Sequence, residues 1–208
     1  GILSSGNLRE GTYCRDFEEE FAKMVGAEHA VACNSGSAAL HAAYSYYLQS
    51  GDEVLVPAMT FFATASMVCW AGGVPVFCDI NPQTYCLDLD DARKRITPKT
   101  RAIAPVHLFG NAADVEAILD LAAEFELHII WDAAQAHLTE YRGKDVGSLT
   151  GACCYSFYAT KNMTTGEGGM VVSDDRKLAD FVRLLKRQGQ AEKYRHTILG
   201  TNYRMTDI

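Results

Sequence analysis

Short apolar segments alternate with segments of helical periodicity along most of the chain. The strand-like segments run without polar alternation, as in strands that are covered on both faces. In the helix-like segments apolar residues recur every three or four positions, most clearly between 113 and 125. The predicted strands are residues 29–33, 53–56, 75–78, 101–106, 127–131, 152–158 and 168–173. The predicted helices are residues 38–48, 63–70, 88–95, 113–125 and 176–187.

Strands that alternate with helices favour right-handed crossovers between parallel strands. We therefore expect an α/β fold of three layers, with a mostly parallel sheet and helices on both faces. Residues 54–78 contain no charged side chain, but Pro57, Pro75 and the Gly72-Gly73 pair interrupt them. This stretch predicts buried strands and a buried helix inside the domain and not a membrane span. No repeat or linker interrupts the pattern, so residues 1–208 are predicted to form one domain.

The amino-acid composition indicates which binding partners and which cell compartment to expect. The 208 residues include 19 Lys and Arg against 26 Asp and Glu, a net charge of −7, which offers no broad basic surface to nucleic acid. Seven cysteines without C-x-x-C spacing fit a reduced chain in which most of them are small core residues. The first residues lack both the basic and the apolar segment of a secretory signal. We expect a cytoplasmic protein that binds neither nucleic acid nor a membrane.

Candidate ligand-binding residues follow several predicted strands, and ligands of open α/β sheets bind beyond the carboxyl ends of the strands. Gly36 and Ser37 open a helix after a strand, where free N–H groups and a hydroxyl suit a phosphate. A turn glycine followed by a capping serine is also a common structural device. Asp132 directly follows the apolar strand LHIIW, so its carboxylate either faces a cation or caps the next helix.

Two further candidates are a lysine and an aromatic residue. Lys161 lies between two predicted strands, in SFYATKNMTTGEGG. A lysine held in a site can act as a nucleophilic amine or as a point charge for an anion, whereas a surface lysine is the ordinary alternative. Ser156 could add a hydroxyl or belong simply to its strand. Phe61 could cover a flat ligand, although an aromatic at such a place more often packs in the core.

Several common motifs are missing from the sequence. There is no G-x-x-x-x-G-K-[ST], H-E-x-x-H or G-x-S-x-G sequence, and the six histidines are scattered without metal-ligand spacing. The glycine-rich GEGG precedes a strand, which is the wrong context for a dinucleotide fingerprint. We therefore expect neither a metal site nor nucleotide binding by these motifs.

Taken together, the motifs resemble those of the sugar aminotransferase family, also called the DegT/StrS family, of fold-type I pyridoxal-phosphate enzymes. The segments that carry the resemblance are NSGSAALHAA, GDEVLVPAMTFFATA, GGVPVFCDINPQTYCLD, ITPKTRAIAPVHLFG, WDAAQAH, SFYATKNMTTGEGG and LGTNYRMTDI. The most specific of them is SFYATKN followed by TGEGG. The resemblance implies the large domain of the fold-type I transferases.

The resemblance also implies roles for individual residues. Lys161 is similar to the lysine that bonds covalently to pyridoxal 5′-phosphate and then moves a proton between cofactor and substrate carbons. Asp132 resembles the aspartate that keeps the pyridine nitrogen protonated, so that the ring can accept electrons. Gln135 resembles the glutamine near the ring and its 3-hydroxyl, and Phe61 the aromatic that stacks on the ring. The implied phosphate contacts are Gly36, Ser37, Ser156 and, from the second subunit of a homodimer, Asn202.

The implied reaction is transamination from an amino donor, usually glutamate in this family, to a keto group of a nucleotide-linked sugar. Some relatives dehydrate sugars and carry histidine where this chain has Lys161, so the lysine favours the aminotransferase. A non-catalytic binding or regulatory module that kept the motifs is the other alternative. The chain departs from the family at Ser37, where threonine is usual, and at Trp131, where an acidic residue often precedes the aspartate.

The resemblance changes what the length of the chain implies. Family members continue well past NYRMTDI into further helices and a smaller C-terminal domain that helps to close the active site. Residues 1–208 are therefore predicted to be the large domain that binds pyridoxal phosphate, without the small domain.

Overall fold

A computed structural model describes residues 1–6 and 8–208. The strands are β1 His29–Cys33, β2 Glu53–Pro57, β3 Val74–Cys78, β4 Thr100–Ile103, β5 His128–Asp132, β6 Glu140–Tyr141, β7 Lys144–Asp145, β8 Ala152–Ser156, β9 Gly169–Ser173, β10 Gln190–Glu192 and β11 Arg195–His196. The helices are α1 Ile2–Ser5, α2 Thr12–Val25, α3 Gly36–Tyr47, α4 Phe62–Trp70, α5 Leu89–Lys94, α6 Val115–Glu124 and α7 Arg176–Leu185.

Seven strands form the central sheet, in the order β1-β9-β8-β5-β4-β2-β3. Of these strands only β9 is antiparallel to its neighbours, β1 and β8, so the other six run in one direction. The strand pairs β6–β7 and β10–β11 form two small separate hairpins. The predicted mostly parallel α/β sheet is confirmed.

Helices cover both faces of the sheet and enclose two hydrophobic clusters. On one face α2, α5 and α6 bury their apolar residues against the sheet, and on the other face α3, α4 and α7 do so. Because side chains alternate along a strand, Trp131 packs in the first cluster while Ile130 packs in the second. The same alternation turns Asp132, at the end of β5, towards the face that α3 and α4 cover. This arrangement confirms the predicted three layers.

Helix α2 was not among the predicted elements. Its buried residues include Phe21 and Val25, one turn apart on the side that faces the first cluster. Its N-terminus is capped from the far end of the chain, because Asp207 Oδ1 accepts hydrogen bonds from the backbone N–H groups of Gly11, at 2.7 Å, and Cys14, at 3.1 Å. The two ends of the sequence are thereby joined.

A buried lysine connects α2, β1 and the segment after α7. The Lys186 side chain is 1% exposed, and its ammonium lies 2.6 Å from Glu10 and 3.0 Å from Glu18. Lys186 also donates to the carbonyl of Ala32 at 2.8 Å, while the N–H of Ala32 donates to Glu18 at 2.7 Å. Arg187 Nε lies 3.1 Å from the other oxygen of Glu10, so two cations face two carboxylates, as buried charges require.

Two predictions about the whole chain can be compared with the structure. Within residues 1–6 and 8–208, no helix is long and apolar enough to cross a membrane. All seven cysteines fall in these ranges and are free thiols, and all except Cys69 are buried. The interpretation of most cysteines as core residues is confirmed.

Candidate active site

A cavity of about 400 Å³ lies at the carboxyl ends of the parallel strands. The N-terminus of α3, the segment before α4, and the loops after β5 and β8 border it. The sequence predicted eight site residues, and seven of them line this cavity: Gly36, Ser37, Phe61, Asp132, Gln135, Ser156 and Lys161. Residues from four separate parts of the chain are thus brought together.

One end of the cavity is the N-terminus of α3. Ser35 caps this helix, and its hydroxyl accepts a hydrogen bond from the N–H of Ala38 at 3.1 Å. The first N–H groups of a helix have no partner within the helix, and they attract anions together with the helix dipole. The half-buried Ser37 and the buried Ser156 add hydroxyl groups here. This end of the cavity suits a phosphate.

Glycine at position 36 permits the close approach of α3 to β8. A Cβ atom at this position would lie 2.7 Å from Cβ of Ser156, which is closer than real Cβ atoms come. Gly169, at the start of β9, has a similar role, since a Cβ atom there would lie 2.1 Å from the carbonyl oxygen of Ser35. Sequence reasoning did not single out Gly169, although it belongs to the GEGG segment.

The carboxylate of Asp132 lies at the wall of the cavity and is only 4% exposed. Its Oδ2 atom accepts a hydrogen bond from the Thr64 hydroxyl at 2.7 Å, and Oδ1 accepts one from the N–H of Ala134 at 3.1 Å. Burial raises the pKa of the Asp132 carboxyl, while these two hydrogen bonds and the charge of Lys161 act against that rise. The ion pairs of the described residues do not include Asp132. A cationic group bound in the cavity would therefore complete its environment.

Lys161 lies in the loop between β8 and β9 and is half-buried. Its backbone N–H donates to the carbonyl of Tyr158 at 2.9 Å, which fixes a turn in this loop. The side chain borders the cavity and is near enough to affect the pKa values of Asp132 and His137. An amine and a carboxylate thus share one cavity.

Gln135 and Phe61 lie on different sides of the same space. Gln135 Oε1 accepts a hydrogen bond from the N–H of Phe109 at 2.8 Å, which leaves the amide N–H groups of the side chain to donate. Phe61 is 72% exposed and borders the cavity directly before α4. The alternative that Phe61 packs in the core is therefore wrong.

Asn202 lies outside the cavity of its own chain. Its side-chain oxygen accepts a hydrogen bond from Arg204 Nε at 3.1 Å, and its carbonyl accepts one from Asn34 Nδ2 at 3.3 Å. The side chain is exposed. A role for Asn202 across a subunit interface stays a prediction.

Two hydroxyl groups near Asp132 were not predicted as site residues. Thr60 borders the cavity, and its Oγ1 lies 2.7 Å from Oγ1 of Thr64, the residue that donates to Asp132. The signal in the sequence was a threonine within an uncharged, mainly apolar helical segment, ATASMVCW. A polar residue in such a segment requires a partner when it is buried.

Comparison with known proteins agrees with this geometry. A family model described as the DegT/DnrJ/EryC1/StrS aminotransferase family matches residues 1–208. GDP-perosamine synthase of Caulobacter vibrioides is 44% identical over 201 residues, which are 95% of this chain and 54% of that protein. The chain spans about half the length of the curated relatives it matches.

Two solved structures have the same fold. Streptomyces venezuelae DesV, in complex with a ketimine intermediate, matches with a TM-score of 0.96 and 41% identity, over 99% of this chain and 56% of that chain. NtdA from Bacillus subtilis, with the bound cofactor PMP, matches with a TM-score of 0.92 and 33% identity, over 99% of this chain and 48% of that chain.

Proposed function

Because the chain belongs to the DegT/DnrJ/EryC1/StrS aminotransferase family, we propose that it is the cofactor-binding part of an aminotransferase that uses pyridoxal 5′-phosphate. The enzyme transfers an amino group from an amino acid, glutamate, to a keto group of a nucleotide-linked sugar. One observation carries this proposal: the Lys161 side chain and the buried Asp132 carboxylate border one cavity that ends at a helix N-terminus.

The residues of the cavity fit the parts of this cofactor. Its phosphate matches the N-terminus of α3 with the hydroxyls of Ser37 and Ser156. Its ring nitrogen, when protonated, is the cation that the buried carboxylate of Asp132 lacks. The exposed ring of Phe61 offers a face for stacking.

Each of these side chains has a task in the proposed reaction. The cofactor supplies, when bound, a ring that accepts electrons from the substrate. Asp132 holds a proton at the ring nitrogen, and Gln135 donates a hydrogen bond from its side-chain amide towards the ring. Lys161 Nζ holds the cofactor covalently and moves a proton at the substrate carbon.

The proposal extends to the assembly and location of the protein. We propose a homodimer with shared active sites, in which Asn202 contacts the phosphate bound by the partner chain. The exposed position of Asn202 outside its own cavity supports this arrangement. A cytoplasmic location is supported by the seven free cysteines. The name of the Caulobacter relative, GDP-perosamine synthase, supports a sugar nucleotide as the acceptor. We propose further that residues 1–208 are the large domain of the enzyme.

The test begins with binding and covalent attachment. Purified protein is incubated with pyridoxal phosphate, the near-visible absorption is recorded, and borohydride is added before peptide mapping. We expect an absorption band and a reduced adduct on Lys161. The Lys161→Ala variant should give no adduct, whereas Lys177→Ala, which changes an exposed lysine on α7, should behave as wild type. No adduct on Lys161 in the wild type would refute the enzyme proposal.

Turnover is tested next with the loaded protein. Glutamate should change the absorption of the bound cofactor, and a panel of keto-sugar nucleotides should reverse that change for the true acceptor. Binding without any response to glutamate would indicate the non-catalytic module instead. Loss of water from a sugar without transfer of nitrogen would indicate a dehydratase.

A further inference from the structure

Thr60, Thr64 and Asp132 form a chain of hydrogen bonds from the cavity to the buried carboxylate. The Thr64 hydroxyl donates to Asp132 Oδ2 at 2.7 Å, and Thr60 Oγ1 lies 2.7 Å from Thr64 Oγ1. Thr60 lines the cavity, whereas Thr64 is 0% exposed. The chain therefore begins at the ligand space and ends at the carboxylate.

The direction of these hydrogen bonds follows from the number of protons. Each hydroxyl has one proton to donate, and an ionised carboxylate only accepts. Since Thr64 donates its proton to Asp132, the proton between the two threonines must come from Thr60. The oxygen of Thr60 is then left as an acceptor towards the cavity.

Thr64 is itself held firmly in place. Its N–H donates to the carbonyl of Phe61 at 3.1 Å, and its carbonyl accepts a hydrogen bond from the buried Tyr44 hydroxyl at 3.0 Å. Thr64 thus links the backbone of Phe61, the aromatic residue at the cavity, to the carboxylate of Asp132. These contacts limit how far the aromatic residue and the carboxylate can move relative to each other.

We propose that Thr64 is a positioning residue, whose hydroxyl keeps the Asp132 carboxylate ionised and directed towards the ring nitrogen of the bound cofactor. The part that concerns the ring rests on the proposed function. The part that concerns the carboxylate stands on the geometry of this chain alone.

An ordinary structural role would leave a different pattern. A buried threonine in a helix commonly donates to a backbone carbonyl one turn earlier. Thr64 donates instead to a carboxylate 68 residues away in the sequence, on a different element of the fold. The Thr64 hydroxyl donates to one oxygen of the Asp132 carboxylate, and the N–H of Ala134 donates to the other. The two hydrogen bonds together fix the orientation of the carboxylate plane.

Other titratable groups near Asp132 do not replace this hydrogen bond. Lys161, in the loop after β8, acts on Asp132 through its charge and forms no direct ion pair with it. Tyr44 on α3, and Cys153 and Cys154 on β8, are influenced by the charge of Asp132, and burial raises the pKa of all three. These three groups are therefore neutral near pH 7, and the hydrogen bonds are the main stabilising contacts of the carboxylate.

The proposal is tested first in the cofactor-free protein. The Thr64→Val variant removes the hydroxyl and nearly conserves the shape, and the protonated carboxyl band of Asp132 is followed by infrared difference spectroscopy against pH. The Asp132→Asn variant identifies the band. We expect the pKa of Asp132 to rise by about one unit or more, as for loss of a hydrogen bond to a charged group. In Thr64→Ser, which keeps the hydroxyl, the pKa of Asp132 should lie close to its wild-type value.

Binding of pyridoxal phosphate gives the second measurement. We expect its Kd to rise about tenfold in Thr64→Val, as when a hydrogen bond to a charged group is weakened, and to change little in Thr64→Ser. Thr100→Val is the matched control, because Thr100 is a buried threonine at the start of β4, away from the cavity. It should lower thermal stability without changing the pKa of Asp132 or the affinity for pyridoxal phosphate.

The possible results separate the two proposals. A folded Thr64→Val variant with a wild-type pKa at Asp132 would overturn the positioning role, whatever the protein binds. A raised pKa in a protein that binds no pyridoxal phosphate would refute the proposed function and leave the effect on the carboxylate standing. If Thr64→Val does not fold, Thr64→Cys replaces it, because a thiol is a weaker donor. An unshifted pKa in Thr64→Cys would also overturn the proposal.

Discussion

The contact between α3 and β8 allows a sharp test at position 36. In the Gly36→Ala variant the new Cβ atom would lie 2.7 Å from Cβ of Ser156 and 3.2 Å from both Cα and Oγ of the same residue. Carbon atoms in ordinary contact are about 3.5 Å or more apart. The helix and the strand must therefore separate by roughly 0.8 Å, the difference between 3.5 and 2.7 Å.

Two effects follow from this separation. Overpacking of this kind lowers the free energy of unfolding by about 1–3 kcal/mol. In a domain of this size each kcal/mol lowers the Tm by about 2–4 °C. The shift also moves the first N–H groups of α3, so hydrogen bonds to a bound phosphate lengthen beyond their usual range of about 2.7–3.2 Å. We expect the affinity for pyridoxal phosphate to fall about tenfold or more.

A double-mutant cycle tests whether Ser156 is the cause. Urea unfolding is measured for Gly36→Ala, Ser156→Gly and the double variant. The double variant should recover about 1 kcal/mol or more relative to the sum of the single changes, because residues in contact are coupled. Ser156→Ala is the matched control, since it removes the hydroxyl but keeps the Cβ atom, and it should not relieve Gly36→Ala.

Two results would refute the reasoning. In the first, Gly36→Ala lowers the free energy of unfolding by less than about 0.5 kcal/mol, which is within the usual range for a substitution without steric conflict. In the second, the cycle is additive within about 0.5 kcal/mol, as for distant residues. Either result would mean that α3 and β8 are not in the close contact described.

Three further variants test other parts of the molecule. Lys161→Ala should lower the rate of transamination by about a hundredfold or more, measured against the Lys177→Ala control, because the proton-transferring group is lost. Asp132→Asn should raise the Tm of the cofactor-free protein at pH 7 while it weakens binding of pyridoxal phosphate. Burial raises the pKa of Asp132 in the folded state. The contribution of Asp132 to stability is therefore full below the unfolded pKa of about 3.9 and is lost as the pH rises through the folded pKa. The increase in Tm that Asp132→Asn gives at pH 7 should accordingly shrink at low pH. Asp207→Ala should cost about 1 kcal/mol in urea unfolding at pH 7, as for other helix caps. Burial acts to raise the pKa of Asp207, but hydrogen bonds from the start of α2 outweigh this effect and lower the pKa. The loss of stability in Asp207→Ala should therefore disappear as the pH falls through the folded pKa of Asp207, which lies below the unfolded value of about 3.9.

The main strands and helices could be predicted because burial on both faces leaves uninterrupted apolar runs such as LHIIW. Helix α2 could not be predicted in the same way, since TYCRDFEEEFAKMV is rich in charge and only a narrow apolar stripe marks its buried side. Its cap, Asp207, comes from the other end of the chain, so no local pattern shows it. The antiparallel direction of β9 depends likewise on how the whole sheet is assembled.

The candidate site, like the fold, could be predicted from the sequence only in part. The residues with implied roles follow predicted strands, and the fold brings Lys161, Asp132 and Gly36 to one cavity because the carboxyl ends of parallel strands meet at one edge. Thr64 escaped sequence reasoning because its partner, Asp132, is distant in the sequence and no residue spacing relates the two. A hydroxyl in an apolar helix indicates that a hydrogen-bond partner exists, but the sequence does not show which residue that partner is.

The contacts of Lys186 have a consequence for the behaviour of the protein in concentrated solution. β1 is the outermost strand on its side of the sheet, and an outermost strand offers unpaired backbone groups to which another molecule can add a strand. At Ala32 both of these groups are occupied, the N–H by Glu18 and the carbonyl by Lys186. An incoming strand would have to displace a buried ammonium and leave the Glu18 carboxylate without its counter-ion, while Glu10 would keep only Arg187. This ionic cluster therefore opposes the addition of another strand at the β1 edge of the sheet.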